Sequence, residues 1–183
     1  MIHPTIATLR RLRLTGMAKA LEEQQGLPDC DRLGFDERLA MLVDREAVER
    51  DNTALAQRLR LAGLRQAACL EDLDYRTPRG LDRALIQALA SGRWLRQHHN
   101  VLILGPTGVG KSWIACALGN QAARDGFSVR YRRLPRLLDE LAVARVDGNP
   151  ARLLARLARI QLLILDLCAA RSYVESMPFV GLD

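Results

Sequence analysis

Apolar positions recur at helical spacing through the first stretch of the chain. Ile6, Leu9, Leu12, Leu14, Met17, Ala18 and Leu21 outline an amphipathic helix over residues 4–25. Thr15-Gly16 interrupts it, which predicts two short helices or one kinked helix. Gly26-Leu27-Pro28-Asp29 reads as a turn. A second helix is predicted from Phe35 to about Leu61, with Phe35, Leu39, Leu42 and Val43 on one face and Leu55, Leu59 and Ala62 restoring the stripe. Its centre, residues 44–52, is polar nearly all round, as in helices that face solvent or bridge two bodies. Residues 63–78 read as a hinge. Leu81, Leu85, Ile86 and Leu89 then mark a helix ending near Ser91-Gly92.

The period changes after residue 100. Val101-Leu102-Ile103-Leu104 is a short apolar run that predicts a buried strand. A helix follows from Lys111 to about Arg124 and stops at Gly126. Phe127 to Arg132 alternates and predicts the next strand. Pro135 suits the first turn of a helix that turns Leu137, Leu138, Leu141 and Ala142 inward, and Asp147-Gly148-Asn149-Pro150 breaks it. Leu153, Leu154, Leu157 and Ile160 give one more helix. Leu162-Leu163-Ile164-Leu165-Asp166 is then an apolar strand, predicted to be buried on both faces, ending in a carboxylate. Strands alternating with helices of this length predict an α/β fold with a parallel sheet and right-handed crossovers.

The chemistry concentrates between the first predicted strand and its helix. Gly105-Pro106-Thr107-Gly108-Val109-Gly110-Lys111-Ser112 satisfies G-x-x-x-x-G-K-[ST] at every fixed position. Glycines let backbone N–H groups curl around phosphate oxygens at the positive end of a helix dipole. Lys111 is expected to reach the β- and γ-phosphates, and the Ser112 hydroxyl to hold Mg²⁺. The alternative is a chance Gly-rich turn, which the strand–loop–helix setting disfavours. Two βα units later, Asp166 closes an apolar strand where a Walker B acid would meet Mg²⁺ through water. An Asp capping an ordinary buried strand is the competing reading. Residue 167, where an ATPase of this design needs a second acid to polarise water, is Leu, which can neither accept a proton nor orient water.

Composition narrows the setting. The 183 residues can hold one full domain and a small appendage. No apolar run approaches the roughly eighteen residues of a membrane span, and the Arg-rich N-terminal stretch lacks a signal-peptide core, so a cytoplasmic protein without membrane contacts is expected. Cys30, Cys69, Cys116 and Cys168 are far apart and suggest neither a disulfide framework nor zinc. His98 and His99 read as surface residues.

The net charge of +6 is unevenly spread. Residues 1–95 are nearly balanced, whereas Arg124, Arg130, Arg132, Arg133, Arg136, Arg145, Arg152, Arg156 and Arg159 face only Asp125, Asp139, Glu140 and Asp147. A smaller cluster comprises Arg10, Arg11, Arg13 and Lys19. Either could be a phosphate-backbone footprint, or a solvated surface in a chain that prefers Arg to Lys. Arg130, Arg132, Arg133 and Arg136 are the candidates for nucleic acid.

Several motifs in order carry a resemblance. Leu12-x-Leu14-x-Gly16-Met17-Ala18-x-Ala20-Leu21, Glu49-Arg50-Asp51-Asn52, Tyr75-Arg76-x-Pro78-Arg79-Gly80-Leu81-Asp82 and the run from Asn100 through Ser112 are similar to the IstB-like helper ATPases of insertion-sequence transposition. That group belongs to the AAA+ superfamily and is related to DnaC-type helicase loaders. The resemblance, over about residues 9–166, implies an incomplete three-layer P-loop NTPase domain with a parallel sheet, preceded by a small all-helical domain. It implies ATP and Mg²⁺ as ligands, and duplex DNA, a transposase and further copies of the chain as partners. A helicase loader and a non-functional remnant are the other readings. The expected organisation is a helical domain over 1–65 for DNA, partner or oligomer contacts, and a linker with lead-in helix over 66–96. A partial ATP-binding core over 97–166 and an aberrant tail over 167–183 complete it. Family members continue past the Asp166 strand with two acids in a row and then with sensor residues and an arginine finger. Residues 167–183 show no counterpart, so a frameshifted or rearranged end and impaired hydrolysis are expected.

Overall fold

The computed structural model describes residues 4–26, 32–76 and 80–167. Residues 27–29 of the predicted turn, Cys30, Pro78, Arg79, Cys168 and the rest of the tail to 183 lie outside the described residues. The chain divides into two units, Met1–Gln57 and Arg58–Asp183.

The first unit is helical. Helices α1 (Pro4–Arg11) and α2 (Thr15–Gly26) precede α3 (Phe35–Ala62), which crosses the unit boundary. Two helices form, yet the break falls at residues 12–14, where Arg13 adopts φ 61°, and not at Thr15-Gly16. The reason is Glu46. Its Oε2 accepts from the backbone N–H of Gly16 (2.8 Å) and Met17 (3.2 Å), satisfying donors that the first turn of α2 would otherwise leave unpaired. Gly16 permits this approach: a Cβ there would lie 2.6 Å from Glu46 Cα and 2.7 Å from the Arg45 carbonyl oxygen. The polar centre of α3 thus supplies a buried residue, Glu46, whereas Phe35, Leu39 and Val43 of the predicted apolar face are exposed and Ala62 of the restored stripe is buried.

The second unit is built around α6 (Lys111–Arg124), whose Ile114, Cys116, Ala117, Leu118, Gly119, Ala122 and Ala123 are all buried. Two parallel strands, β1 (Val129–Arg133) and β2 (Leu162–Asp166), pair from Val129↔Leu162 to Arg133↔Asp166. The register is pinned where the strands begin. Gln161 Oε1 accepts from the Ser128 N–H, Ser128 Oγ accepts from the Gln161 N–H, and Ser128 O accepts from the Leu162 N–H. Helices α7 (Leu134–Val146) and α8 (Pro150–Ala158), each opening with Pro in its first turn, make the crossover.

One face of α6 packs on the sheet, where Cys116 and Ala117 join Tyr131 and Ala68, with Leu64, Trp113 and Ile164 against them. Another cluster joins Ile114 and Leu118 to Leu73 and to Ile86 of α4 (Arg83–Ala90). Segments read from sequence as hinge and lead-in therefore contribute Ala68, Leu73 and Ile86 to the core. Asp82 caps α4, accepting from the N–H groups of Ala84 and Leu85. A short helix, α5 (Arg93–Arg96), follows.

Two strand expectations are corrected. Residues 101–104 form no strand: Ile103 packs against the α4–α6 cluster, but Leu102 and Leu104 are 77% and 79% exposed. The ladder does not form here, because among the described residues the sheet is the β1–β2 pair and does not include this segment. The Leu162–Asp166 strand is likewise not buried on both faces, since Leu165 is 43% exposed.

Candidate nucleotide-binding site

The loop at 105–112 takes the backbone its glycines were expected to permit. Gly105 (φ 151°), Gly108 (φ 87°) and Gly110 (φ 96°) all lie at positive φ, where a side chain costs about 1 kcal/mol or more. Gly110 is the N-cap of α6, so Lys111 and Ser112 open the helix and its dipole points at the loop. Lys111 Nζ donates to Gly105 O (2.7 Å) and Pro106 O (2.6 Å). Two of the three ammonium donors hold the charge over the loop, and the third is the one that can add a phosphate oxygen.

Ser112 and Asp166, fifty-four residues apart in sequence, meet directly: Ser112 Oγ donates to Asp166 Oδ2 at 3.0 Å. Helix α6 delivers the serine and the C-terminal end of β2 delivers the acid, the edge of a parallel sheet where ligands bind. The Asp166 side chain is only 9% exposed. Two further groups converge on the same oxygen. The Tyr131 hydroxyl on β1 donates to Oδ2, and the Arg65 guanidinium lies 3.8 Å away. Burial first, and then the Asp166 carboxylate, push the Tyr131 phenol up to about 12, so it is a neutral donor at any ordinary pH.

The donor set suits Mg²⁺. Ser112 and Asp166 offer hard oxygens, and no cluster of three or more His, Cys, Asp or Glu exists among the described residues. Mg²⁺ takes one or two protein oxygens and fills its shell with water and phosphate, whereas zinc needs three or four protein ligands. Leu167 follows Asp166 and is 47% exposed, so the next position presents a hydrocarbon to this edge.

The basic candidates separate. Arg130 donates to the Leu61 carbonyl, and Arg132 pairs with Glu140 at 3.5 Å. Arg133 and Arg136 are exposed, the former as the register partner of Asp166. In the other cluster, Arg10 pairs with Glu22 and Lys19 with Glu49. Cys116 is buried, as expected for a small thiol in this helix.

Sequence reasoning missed Tyr131 and Arg65. The alternation Val129-Arg130-Tyr131 carried a signal for the tyrosine, which shares its face with inward Val129. Nothing local marked Arg65, whose place depends on how the connection after α3 folds back.

This loop, helix and carboxylate define a P-loop nucleotide-binding domain of α/β type, incomplete in its sheet. The chain belongs to the IstB-like ATP binding protein family, whose model matches residues 7–173. It is 54% identical over 167 residues to a Pseudomonas fluorescens protein named for ATP binding and insertion sequence IS1162, covering 91% of this chain and 72% of that protein. A Sinorhizobium fredii insertion-sequence ATP-binding protein is 52% identical, with 90% and 67% covered. The corresponding protein named for insertion sequence IS21 in Pseudomonas aeruginosa is 31% identical, with 90% and 62% covered. The chain thus spans roughly two thirds of the length of these relatives. No helix among the described residues is long and apolar enough to cross a membrane.

Proposed function

We propose that the chain binds ATP with Mg²⁺ as a helper of insertion-sequence transposition, and that its turnover of ATP is slow. The observation that carries the reading is the direct contact between Ser112 and Asp166 beside a loop with Lys111 folded over it. Residues 105–112 would cradle the phosphates, with Lys111 neutralising β- and γ-oxygens. Ser112 and Asp166 would hold Mg²⁺, Asp166 through water; the ion supplies neutralisation of charge on the transferred phosphoryl group. Tyr131 keeps the carboxylate oriented from the core side. Leu167 offers no base for the attacking water, which supports binding over hydrolysis.

Duplex DNA and a transposase are the proposed partners. The relatives' association with insertion sequences favours this over helicase loading. Arg133 and Arg136 carry the DNA proposal best, because Arg130 and Arg132 already serve internal partners. The proposed domain roles follow: helical residues 1–65 for partner contacts and residues 97–166 for nucleotide. The rearranged end proposed for 167–183 is tested by reading the nucleotide sequence downstream of the Asp166 codon in all three frames; absence of an acid-containing continuation similar to the relatives defeats it.

A cooperative melt that moves upward with Mg-ATP tests the central reading. At a ligand concentration about a hundred times Kd, stabilisation is about 2.7 kcal/mol, or roughly 5–11 °C for a chain of this size. A melt unmoved by saturating Mg-ATP refutes it.

A further inference from the structure

Three groups from three parts of the chain meet at Asp166 Oδ2: Ser112 on α6 and Tyr131 on β1 donate hydrogen bonds to it, and Arg65 on the connection after α3 forms an ion pair with it. They differ in kind. The two hydroxyls are neutral, and both can stay when a cation approaches through water. Arg65 carries a full positive charge 3.8 Å from Oδ2 of the carboxylate that would hold the dication. It is also placed to leave. Its side chain is 43% exposed, against 9% for Asp166. It follows Gly63, at φ 59°, in a connection without helix or strand between Ala62 and Leu70.

We propose that Arg65 is a positioning residue that competes with Mg²⁺ for Asp166, holding the carboxylate by charge until the metal displaces it, while Tyr131 keeps the same oxygen oriented throughout. The inference rests on the Mg-ATP reading above. It couples occupation of the metal position to release of the connection that leads back to α3, because the guanidinium cannot remain beside Asp166 without opposing the dication.

The test is calorimetric titration of ATP into the full chain over a series of free Mg²⁺ concentrations, for wild type, Arg65→Gln and Arg65→Lys. Removing the competitor should lower the Mg²⁺ needed for half-maximal ATP binding about two- to five-fold, the span of a partly exposed ion pair. Arg65→Lys, which keeps the charge, should stay near wild type. An Mg²⁺ requirement in Arg65→Gln equal to or above wild type overturns the proposal, and the latter would mean that Arg65 serves the phosphates. Arg65→Lys behaving as Arg65→Gln also overturns it, since charge would then not be the agent. Hydrogen exchange of wild type gives a readout independent of any variant. Amides of residues 63–68 should exchange faster in Mg-ATP than in ATP with EDTA, and equal or slower exchange contradicts release. Wild type that binds no ATP under either condition removes the functional reading itself and this inference with it; normal wild-type binding with unchanged variants removes the inference alone.

Discussion

Replacing Gly119 tests whether the seat of α6 on the sheet sets the Ser112–Asp166 contact. A Cβ at this position would lie 2.7 Å from Ile164 Cδ1, 3.0 Å from Leu64 Cδ2 and 3.5 Å from Val129 Cγ1. The first shortfall is close to 1 Å against an ordinary carbon contact. Both nearest atoms end flexible side chains, so alanine can be accommodated in part. Overpacking costs about 1–3 kcal/mol, and alanine returns about 1 kcal/mol of helix propensity. Gly119→Ala should therefore destabilise by about 1 kcal/mol. Valine adds two methyls with Val129 already in contact and regains less propensity, which brings Gly119→Val to about 3 kcal/mol. Ser112 lies two turns up the same helix, so whatever lifts the helix also parts its hydroxyl from Asp166. Urea unfolding reads the stability, and ATP titration in Mg²⁺ reads the site. Val-for-Gly stability equal to wild type, or undiminished Mg-ATP affinity in a destabilised Gly119→Val, would refute the reasoning.

Leu167→Glu should raise ATP turnover by at least about tenfold, in the direction of the 10²–10⁴ that an acid–base group supplies, with ATP affinity little changed; phosphate release reads it, and flat turnover contradicts the role given to Leu167. Glu46 is held below the usual carboxylate range chiefly by the Arg50 hydrogen bond and also by the N–H groups of Met17 and Gly16. Its stabilisation of the helical unit is accordingly complete above the ordinary glutamate value and lost as pH falls through the lowered one. Thermal melts of wild type and Glu46→Gln should thus differ at neutral pH and converge in acid, and a pH-independent gap rules this out. The double substitution Arg133→Ala with Arg136→Ala should weaken duplex DNA binding for all sequences alike. It should also flatten the logarithmic salt dependence by about 2, near one unit per phosphate contact. Unchanged binding moves the footprint elsewhere.

What could be read in advance was local. The phosphate loop announces itself because its glycines, lysine and serine act at fixed spacing within one short loop, and glycine at 105, 108 and 110 permits the positive φ found there. Asp166 was legible because an apolar run ended in an acid. Properties that depend on a distant neighbour were not. Residues 101–104 carry a strand's sequence, but a strand exists only where another backbone pairs with it. The opening of α2 at Thr15 depends on a glutamate thirty residues away reaching Gly16. Arg65 and Tyr131 meet at Asp166 through the tertiary fold. Gly119 looked like an ordinary helical glycine until Ile164 and Leu64 were placed against it.

Residues 105–112 are proposed as a working ATP cradle. Calorimetric titration of Mg-ATP into wild type and Lys111→Ala, both shown to unfold cooperatively, tests it most directly. Wild type should show saturable single-site binding, and Lys111→Ala should lose it. Equal binding by both proteins, or none by wild type, would contradict it.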